Sequence, residues 1–382
     1  MVDTAPNGGD RMKIREFGVE IWMNAYEDEA KFNLAETCVE SLTIAQLLTL
    51  AGRNDDALSD LLPMRMGYGA ITGSPRLKAA ICGLYARQSA ENVIIAHGTI
   101  GANHLVHLAL VEPGDRVVAV VPTYQQHYSI PESIGADMRL VHLKPENQFL
   151  PDLAELAQAA KGAKLIALTN PNNPTGALID RAGLEAIVAI ARENEAWLLC
   201  DEVYRGIDQE GDGFTASIAD LYEKGISTCG MSKAFSLAGL RLGWIAAPAQ
   251  VIEAVSVHRD YTTISVGMLD DHFAALALEN SGRVLERSRK ITRENLAILD
   301  EWIAGQPRIS YIKPRSGTTA LLKYDLPMGS ADLCRQLQAD TGVMLLPGEA
   351  LDMEGWLRIG YACDTGVLRQ GLALFGQWLA QR

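Results

Sequence analysis

Residues 230–244 read Gly230-Met231-Ser232-Lys233-Ala234-Phe235-Ser236-Leu237-Ala238-Gly239-Leu240-Arg241-Leu242-Gly243-Trp244. One lysine stands between apolar flanks, and Arg241 follows further along. Gly230, Ala234, Gly239 and Gly243 keep backbone and side chains out of the way. A lysine in such surroundings loses hydration, which favours the neutral amine. A neutral amine attacks an aldehyde, so this is a setting for a Schiff base. The same residues also suit a buried lysine paired with a carboxylate, or a solvated lysine at a helix start.

Working outward, the whole chain reads as an ordinary globule. At 382 residues it is long for one core and suits a large domain plus a smaller one. With 48% hydrophobic and 21% charged residues, a packed fold is expected rather than disorder. A net charge of −13 argues against nucleic acid or an anionic membrane as the main partner. The cysteines Cys38, Cys82, Cys200, Cys229, Cys334 and Cys363 are scattered, with no C-x-x-C pair. They read as reduced thiols of a cytoplasmic protein, not a disulfide frame or a zinc site. The first ten residues have no apolar core, so no signal peptide is expected there, only a flexible tail over 1–10.

From about 76 to 250, helix-like and strand-like segments alternate. Pro75–Arg87, Ile100–Glu112 and Arg181–Glu193 read as helices. Val93–Ala96, Arg116–Val121, Lys164–Thr169, Ala196–Cys200 and Ile226–Cys229 read as buried strands. The expected fold is α/β: a large domain (51–290) with a mainly parallel sheet covered by helices, and a smaller α+β domain at 291–382. A long helical stretch, Met268–Ile303, joins them, and the last part has short strands at Ala320–Lys323 and Leu357–Tyr361. Residues 11–50, with an amphipathic helix near Ile14–Tyr26, are expected to pack on the small domain. In open α/β sheets ligands sit beyond the carboxyl ends of the strands, which is where the polar clusters fall.

Four clusters stand out. Asp201 ends an apolar strand and opens Asp201-Glu202-Val203-Tyr204; a carboxylate there is costly unless it meets a cation, although a helix cap is equally open. Asn170-Pro171-Asn172-Asn173-Pro174-Thr175-Gly176 is a rigid loop able to present an amide at a fixed place, or a plain turn. His97-Gly98-Thr99-Ile100-Gly101-Ala102 joins a strand to a helix, offering backbone N–H groups to an anion. Pro122-Thr123-Tyr124 ends another strand, and its tyrosine also suits a core position.

With these motifs in this order, residues from about 60 to 365 resemble fold-type I pyridoxal-phosphate enzymes of the aspartate aminotransferase superfamily. The resemblance implies that Lys233 carries pyridoxal 5'-phosphate as an imine and acts as the catalytic base. It implies that Asp201 meets the ring nitrogen, that Tyr204 and Asn173 bond the ring hydroxyl, and that Tyr124 stacks on the ring. Thr99, Ile100 and Arg241 would hold the phosphate. Tyr68 would reach the phosphate of a neighbouring subunit, implying a homodimer with shared active sites. Arg358, in Leu357-Arg358-Ile359-Gly360-Tyr361, would grip the substrate carboxylate, as Asn173 also would. The implied reaction is transamination between a free α-amino acid and an oxo acid. Cyclisation, elimination or oxidation from the same carbanion is the alternative.

Three departures qualify this. Gly230 stands where relatives usually carry a phosphate-binding Ser or Thr. The segment Asn33-Leu34-Ala35-Glu36-Thr37-Cys38-Val39-Glu40 replaces a glycine turn. Its Glu36 and Glu40 either read a cationic substrate side chain or are solvated. The opening Glu16–Tyr26 resembles the start of capreomycidine-synthase-like and arginine-modifying members.

Overall fold

The computed structural model describes residues 14–53, 59 and 61–382, so the expected tail over 1–10 lies outside the described residues. In chain order the elements are α1 (Gly18–Tyr26), β1 (Phe32–Asn33), α2 (Ile44–Leu50), α3 (Pro75–Cys82), β2 (Val93–His97), α4 (Gly98–Leu110), β3 (Arg116–Val121), α5 (Gln126–Ile134) and β4 (Asp137–His142). There follow α6 (Leu153–Ala159), β5 (Leu165–Thr169), α7 (Arg181–Glu193), β6 (Trp197–Asp201), α8 (Ile218–Leu221), β7 (Gly225–Gly230), β8 (Leu242–Ala246), α9 (Ala249–Asp260) and α10 (Met268–Glu279). The chain ends with α11 (Ser281–Ala304), β9 (Ile309–Tyr311), β10 (Thr319–Tyr324), α12 (Ser330–Thr341), β11 (Val343–Met344), β12 (Leu346–Pro347), β13 (Trp356–Gly360) and α13 (Thr365–Ala380).

The large sheet has seven strands in the order β2-β8-β7-β6-β5-β3-β4. All pairings are parallel except those of β8, which runs antiparallel to both neighbours. Burial of β5, β7 and β8 along their whole length explains their continuous apolar or small sequences, because helices cover both faces. Helix starts follow their capping residues: Ser74 caps α3, with Pro75 at its first position, and Asp180 caps α7. Register then places Thr169, Asp201 and Thr228 side by side at the carboxyl ends of β5, β6 and β7.

A four-stranded antiparallel sheet, β12-β13-β10-β9, forms the smaller unit with α12 and α13. The expected boundary at 290 falls inside α11. Val284 and Leu285 of that helix pack with Trp244 and Phe273, whereas Leu296 and Leu299 pack with Leu321 and Phe375. Asn280 separates α10 from α11, so the stretch read as one helix is two.

The N-terminal part divides in the same way. β1 pairs with β11, and the Trp22 indole N–H donates to the Leu345 carbonyl at 3.0 Å, so this portion joins the small unit. Val39, Leu47 and Leu48 instead share a core with Leu77, Ile81 and Trp244. The crossing between the two cores runs through Glu36, Thr37 and Cys38.

Candidate active site

A cavity of about 370 Å³ opens at the carboxyl ends of the strands. It gathers Glu36, Thr99, Ile100, Tyr124, Asn173, Asp201, Tyr204, Lys233, Arg241 and Arg358 from segments far apart in sequence. Glu40 and Tyr68 are not among its lining residues.

Asp201 ends β6 and is 4% exposed. One oxygen accepts from the Asn103 amide at 2.8 Å and the other from the Val203 N–H at 3.0 Å. Thr228 holds Asn103 in turn, donating to its Oδ1 at 2.6 Å. Burial raises the Asp201 pKa to about 6. His127 lies 3.9 Å away, and burial lowers its pKa to about 4, so it is a neutral neighbour at pH 7. A buried carboxylate with no ion-pair partner but a neutral His127 among the described residues favours a cation in the cavity.

The opposite wall is built for an anion. The turn after β2 sets Gly98 at φ +67°, and α4 runs back from it with Thr99 and Ile100 in its first turn. The guanidinium of Arg241 lies over this turn: a Cβ added to Gly98 would come within 3.2 Å of its Nη2. Arg241 Nη1 donates to the Ala238 carbonyl at 2.7 Å, with Ser232 Oγ at 3.5 Å. Thr99 Oγ1 is buried and has no hydrogen-bond partner among the described residues. At Gly243 a Cβ would lie 2.4 Å from the Gly98 carbonyl carbon, so only glycine lets β8 approach the turn this closely.

Lys233 follows β7 and is partly buried. Its Nζ donates to Thr37 Oγ1 at 2.6 Å and to Cys38 Sγ at 3.4 Å, and Glu36 Oε1 lies 3.7 Å away. Burial pulls the amine's pKa down, but Cys38, Tyr204 and Glu36 raise it more, and the net direction is up. Burial pushes the Cys38 thiol up to about 11, and it also raises the Tyr204 phenol, so both are neutral at pH 7. Glu36 is the standing negative charge. Burial opposes its ionisation, but Lys233 and the N–H groups of Thr37 and Cys38 hold its pKa down to about 2. The expectation that apolar flanks favour the neutral amine is therefore corrected: the net direction of the amine's pKa is up, and Glu36 and the segment that crosses between the two cores hold it.

Arg358 of β13 is 3% exposed and points its donors inward. Nη2 donates to the Ala35 carbonyl at 3.0 Å and Nη1 reaches Asn173 Oδ1 at 3.4 Å, while Nε has no partner. The Tyr204 hydroxyl, also buried, lies beside Thr37. Tyr124 packs its ring on Phe17 with centroids 4.8 Å apart and donates its hydroxyl to Glu20 Oε1 at 2.9 Å.

Glu40 is exposed and faces Arg287, whose Nη2 lies 3.5 Å from its carboxylate and whose Nη1 donates to its backbone carbonyl at 2.9 Å. It is a surface ion pair rather than a cavity group. Tyr68 is 70% exposed on a loop of this chain. Residues that sequence reasoning passed over include Asn103, His127, Ser232, Thr37, Cys38, Glu20 and Glu27. Asn103 sits inside a helix and becomes visible only when β7 brings Thr228 beside it. Among the described residues no group of His, Cys, Asp or Glu could hold a metal ion, and no helix is long and apolar enough to cross a membrane.

The model of the class I and II aminotransferases matches residues 48–374. The chain belongs to that family. Capreomycidine synthase of Streptomyces vinaceus is 30% identical over 381 residues, covering 98% of this chain and 97% of that protein. The arginine–pyruvate transaminase of Pseudomonas aeruginosa is 27% identical, covering 82% of each chain. A crystal structure of a PLP-dependent aminotransferase from Streptococcus suis superposes with a TM-score of 0.94 at 42% identity, over 97% of this chain and 98% of that one. This is accordingly a fold-type I enzyme that uses pyridoxal phosphate. Its cavity fits that group on its own terms. A carboxylate, an amine and an anion-binding helix terminus line one space, and Thr99 Oγ1 and Arg358 Nε stand in its walls with no partner among the described residues.

Proposed function

We propose that this family member transfers the amino group of a free α-amino acid to an oxo acid, with Lys233 as the residue that binds the cofactor and carries the proton. The observation that carries the reading is the meeting of Lys233, Asp201 and the half-satisfied Arg358 in one cavity. Bound pyridoxal phosphate supplies an aldehyde carbon for the substrate amine and a ring that withdraws electrons from the substrate Cα. Thr99, Ile100, Ser232 and Arg241 would hold its phosphate, Asp201 its ring nitrogen, and Tyr204 and Asn173 its ring oxygen, with Tyr124 packed on the ring.

Arg358 offers a guanidinium fork to the substrate carboxylate. Its burial among Ala35, Asn173 and Tyr204 excludes water, which strengthens that grip. Asn173 orients Arg358. Lys233 Nζ, once it has lost its proton, accepts the substrate α-proton as general base and can return it elsewhere. Thr37 and Cys38 keep that nitrogen in place, and Glu36 sets how readily it gives up its own proton.

A second reading, cyclisation or elimination on an arginine-like amino acid, draws support from the full-length likeness to capreomycidine synthase. It also draws on the Cys38 thiol beside Lys233, an additional proton-bearing group at the base. Both readings share a homodimer with shared active sites. Support for it comes from the exposed apolar side chains of Leu62, Met66, Tyr68 and Tyr261, which are 86%, 69%, 70% and 90% exposed in a single chain.

Mass spectrometry of products from an amino-acid panel, with and without an oxo-acid acceptor and oxygen, tests the choice. Transamination requires the acceptor and yields an oxo acid and a new amino acid in equal amounts. Product formed without any acceptor in large excess over the enzyme contradicts it and selects the second reading.

A further inference from the structure

The cavity has an acidic side that the cofactor does not use. Helix α1 and its C-terminal capping residue turn Val19, Glu20, Met23 and Glu27 toward it, a spacing that lies on one helical face. The helix is fixed in place. Val19 and Trp22 are buried, Trp22 is hydrogen-bonded to Leu345, and the Gly18 N–H donates to Gln125 Oε1 at 2.9 Å. Glu20 accepts from Tyr124 through Oε1. Glu27 accepts only a long bond, 3.3 Å, from the Asn33 amide.

Resting on the amino-acid reading above, we propose that Glu20 and Glu27 form the receptor for a cationic substrate side chain, a guanidinium or an ammonium. The substrate is then a basic α-amino acid whose carboxylate meets Arg358. Two independent observations converge on the same space. One is the pair of carboxylates, Glu20 within the fixed helix and Glu27 at its C-terminal end. The other is Arg358, almost wholly buried, with Nε unpartnered in the same cavity, which calls for an anionic group at the far end of the same ligand. A molecule with a carboxylate at one end and a cation at the other satisfies both.

The electrostatics agree. Glu27 stands at the exposed mouth of the cavity; partial burial raises its pKa, and so does its proximity to Glu36, Asp28 and Glu20. Lys233 already compensates Glu36. A cation arriving between Glu20 and Glu27 removes the repulsion, whereas an apolar side chain leaves it in place. Glu36, expected to share this role, is committed to Lys233 and to two backbone N–H groups, and Glu40 lies with Arg287. The acidic reading of the pocket therefore moves from the crossing segment to α1.

The test uses the full-length enzyme loaded with pyridoxal phosphate, and compares arginine with citrulline, its uncharged analogue of the same shape, and with leucine. Shifts of the cofactor's visible band and isothermal titration calorimetry each give the affinities. Arginine should bind at least tenfold more tightly than citrulline. Glu20→Gln and Glu27→Gln should each weaken arginine about tenfold, the loss of one charge-assisted hydrogen bond. Citrulline and leucine should stay within about threefold in those variants. Equal binding of arginine and citrulline overturns the receptor but leaves the amino-acid reading standing, and so does a uniform loss for all three ligands in Glu20→Gln, which makes Glu20 a support for Tyr124 only. A protein that binds none of the three overturns the receptor, and one that also binds no other free α-amino acid overturns the reading on which it rests.

Discussion

A Cβ placed on Gly230 would lie 2.6 Å from the hydroxyl oxygen of Thr99. The two residues come from β7 and the start of α4, and they compete for one volume beside the anion-binding turn. Where relatives place a hydroxyl three residues before the lysine, this chain has bare backbone, and the Thr99 hydroxyl fills the space. The Thr99 hydroxyl thus occupies the space that a side chain at Gly230 would need.

Gly230→Ser should consequently fail alone. The new side chain meets Thr99 and also the Leu242 carbonyl, which lies 3.1 Å from the Cβ position. Overpacking of this kind costs about 1–3 kcal/mol. Thermal melts should show a lower Tm, and fluorescence titration a weaker hold on pyridoxal phosphate. The double variant Thr99→Ala with Gly230→Ser should recover most of both. Equal damage in the single and double variants would refute the exchange.

Asp201 gives a prediction in pH. Its pKa is raised in the folded apoprotein, from the ordinary 3.8 to about 6. A raised carboxyl favours folding below its unfolded value, and that contribution is lost as pH rises through about 6. At pH 7.5 the ionised carboxylate thus destabilises the apoprotein by about 2–3 kcal/mol. Asp201→Asn should raise the apoprotein's Tm at pH 7.5 and show little gain near pH 4, while abolishing turnover. Asn103 can accept the change by an amide flip, because the Thr228 hydroxyl can accept as well as donate. A variant that melts lower than the parent at pH 7.5 contradicts the account.

Glu36→Gln removes the standing charge from beside Lys233. The amine then loses its proton at lower pH, and only the neutral amine attacks the cofactor aldehyde. Stopped-flow measurement of pyridoxal phosphate binding to the apoprotein should show faster association near pH 7, with the pH profile displaced downward. An unchanged profile would mean that Glu36 does not govern the amine.

Arg358→Ala should leave the protein yellow and raise the KM for the amino acid by roughly thirtyfold or more, since losing one partner of a buried charge pair costs about 2–5 kcal/mol. A KM that barely moves would place the carboxylate elsewhere.

Much of the site was legible because it lies in short motifs at strand ends. Asp201, Asn173, Tyr124 and Thr99 each follow a run of apolar residues that reads as a buried strand, Lys233 follows a strand of small residues, and the fold brings those ends together. Glu20, Asn103 and His127 were not legible. They sit inside helices, where a polar residue reads as a solvated or structural position until a strand or ring is placed against it. Glu36 and Glu40 looked alike in sequence, and only tertiary contacts separate them, one beside Lys233 and the other beside Arg287. Within the fold, β8 escaped notice because its residues Leu242–Ala246 continue the lysine motif. β4 did so because, as an edge strand, it mixes buried and exposed residues.

The central claim is that Lys233 carries the cofactor. The direct measurement is borohydride reduction of the loaded enzyme, followed by proteolysis and mass spectrometry of the peptides. The account predicts the mass of one reduced cofactor on Lys233 and its disappearance in Lys233→Ala. Label on another lysine, or none on a protein that nevertheless turns yellow, would contradict it.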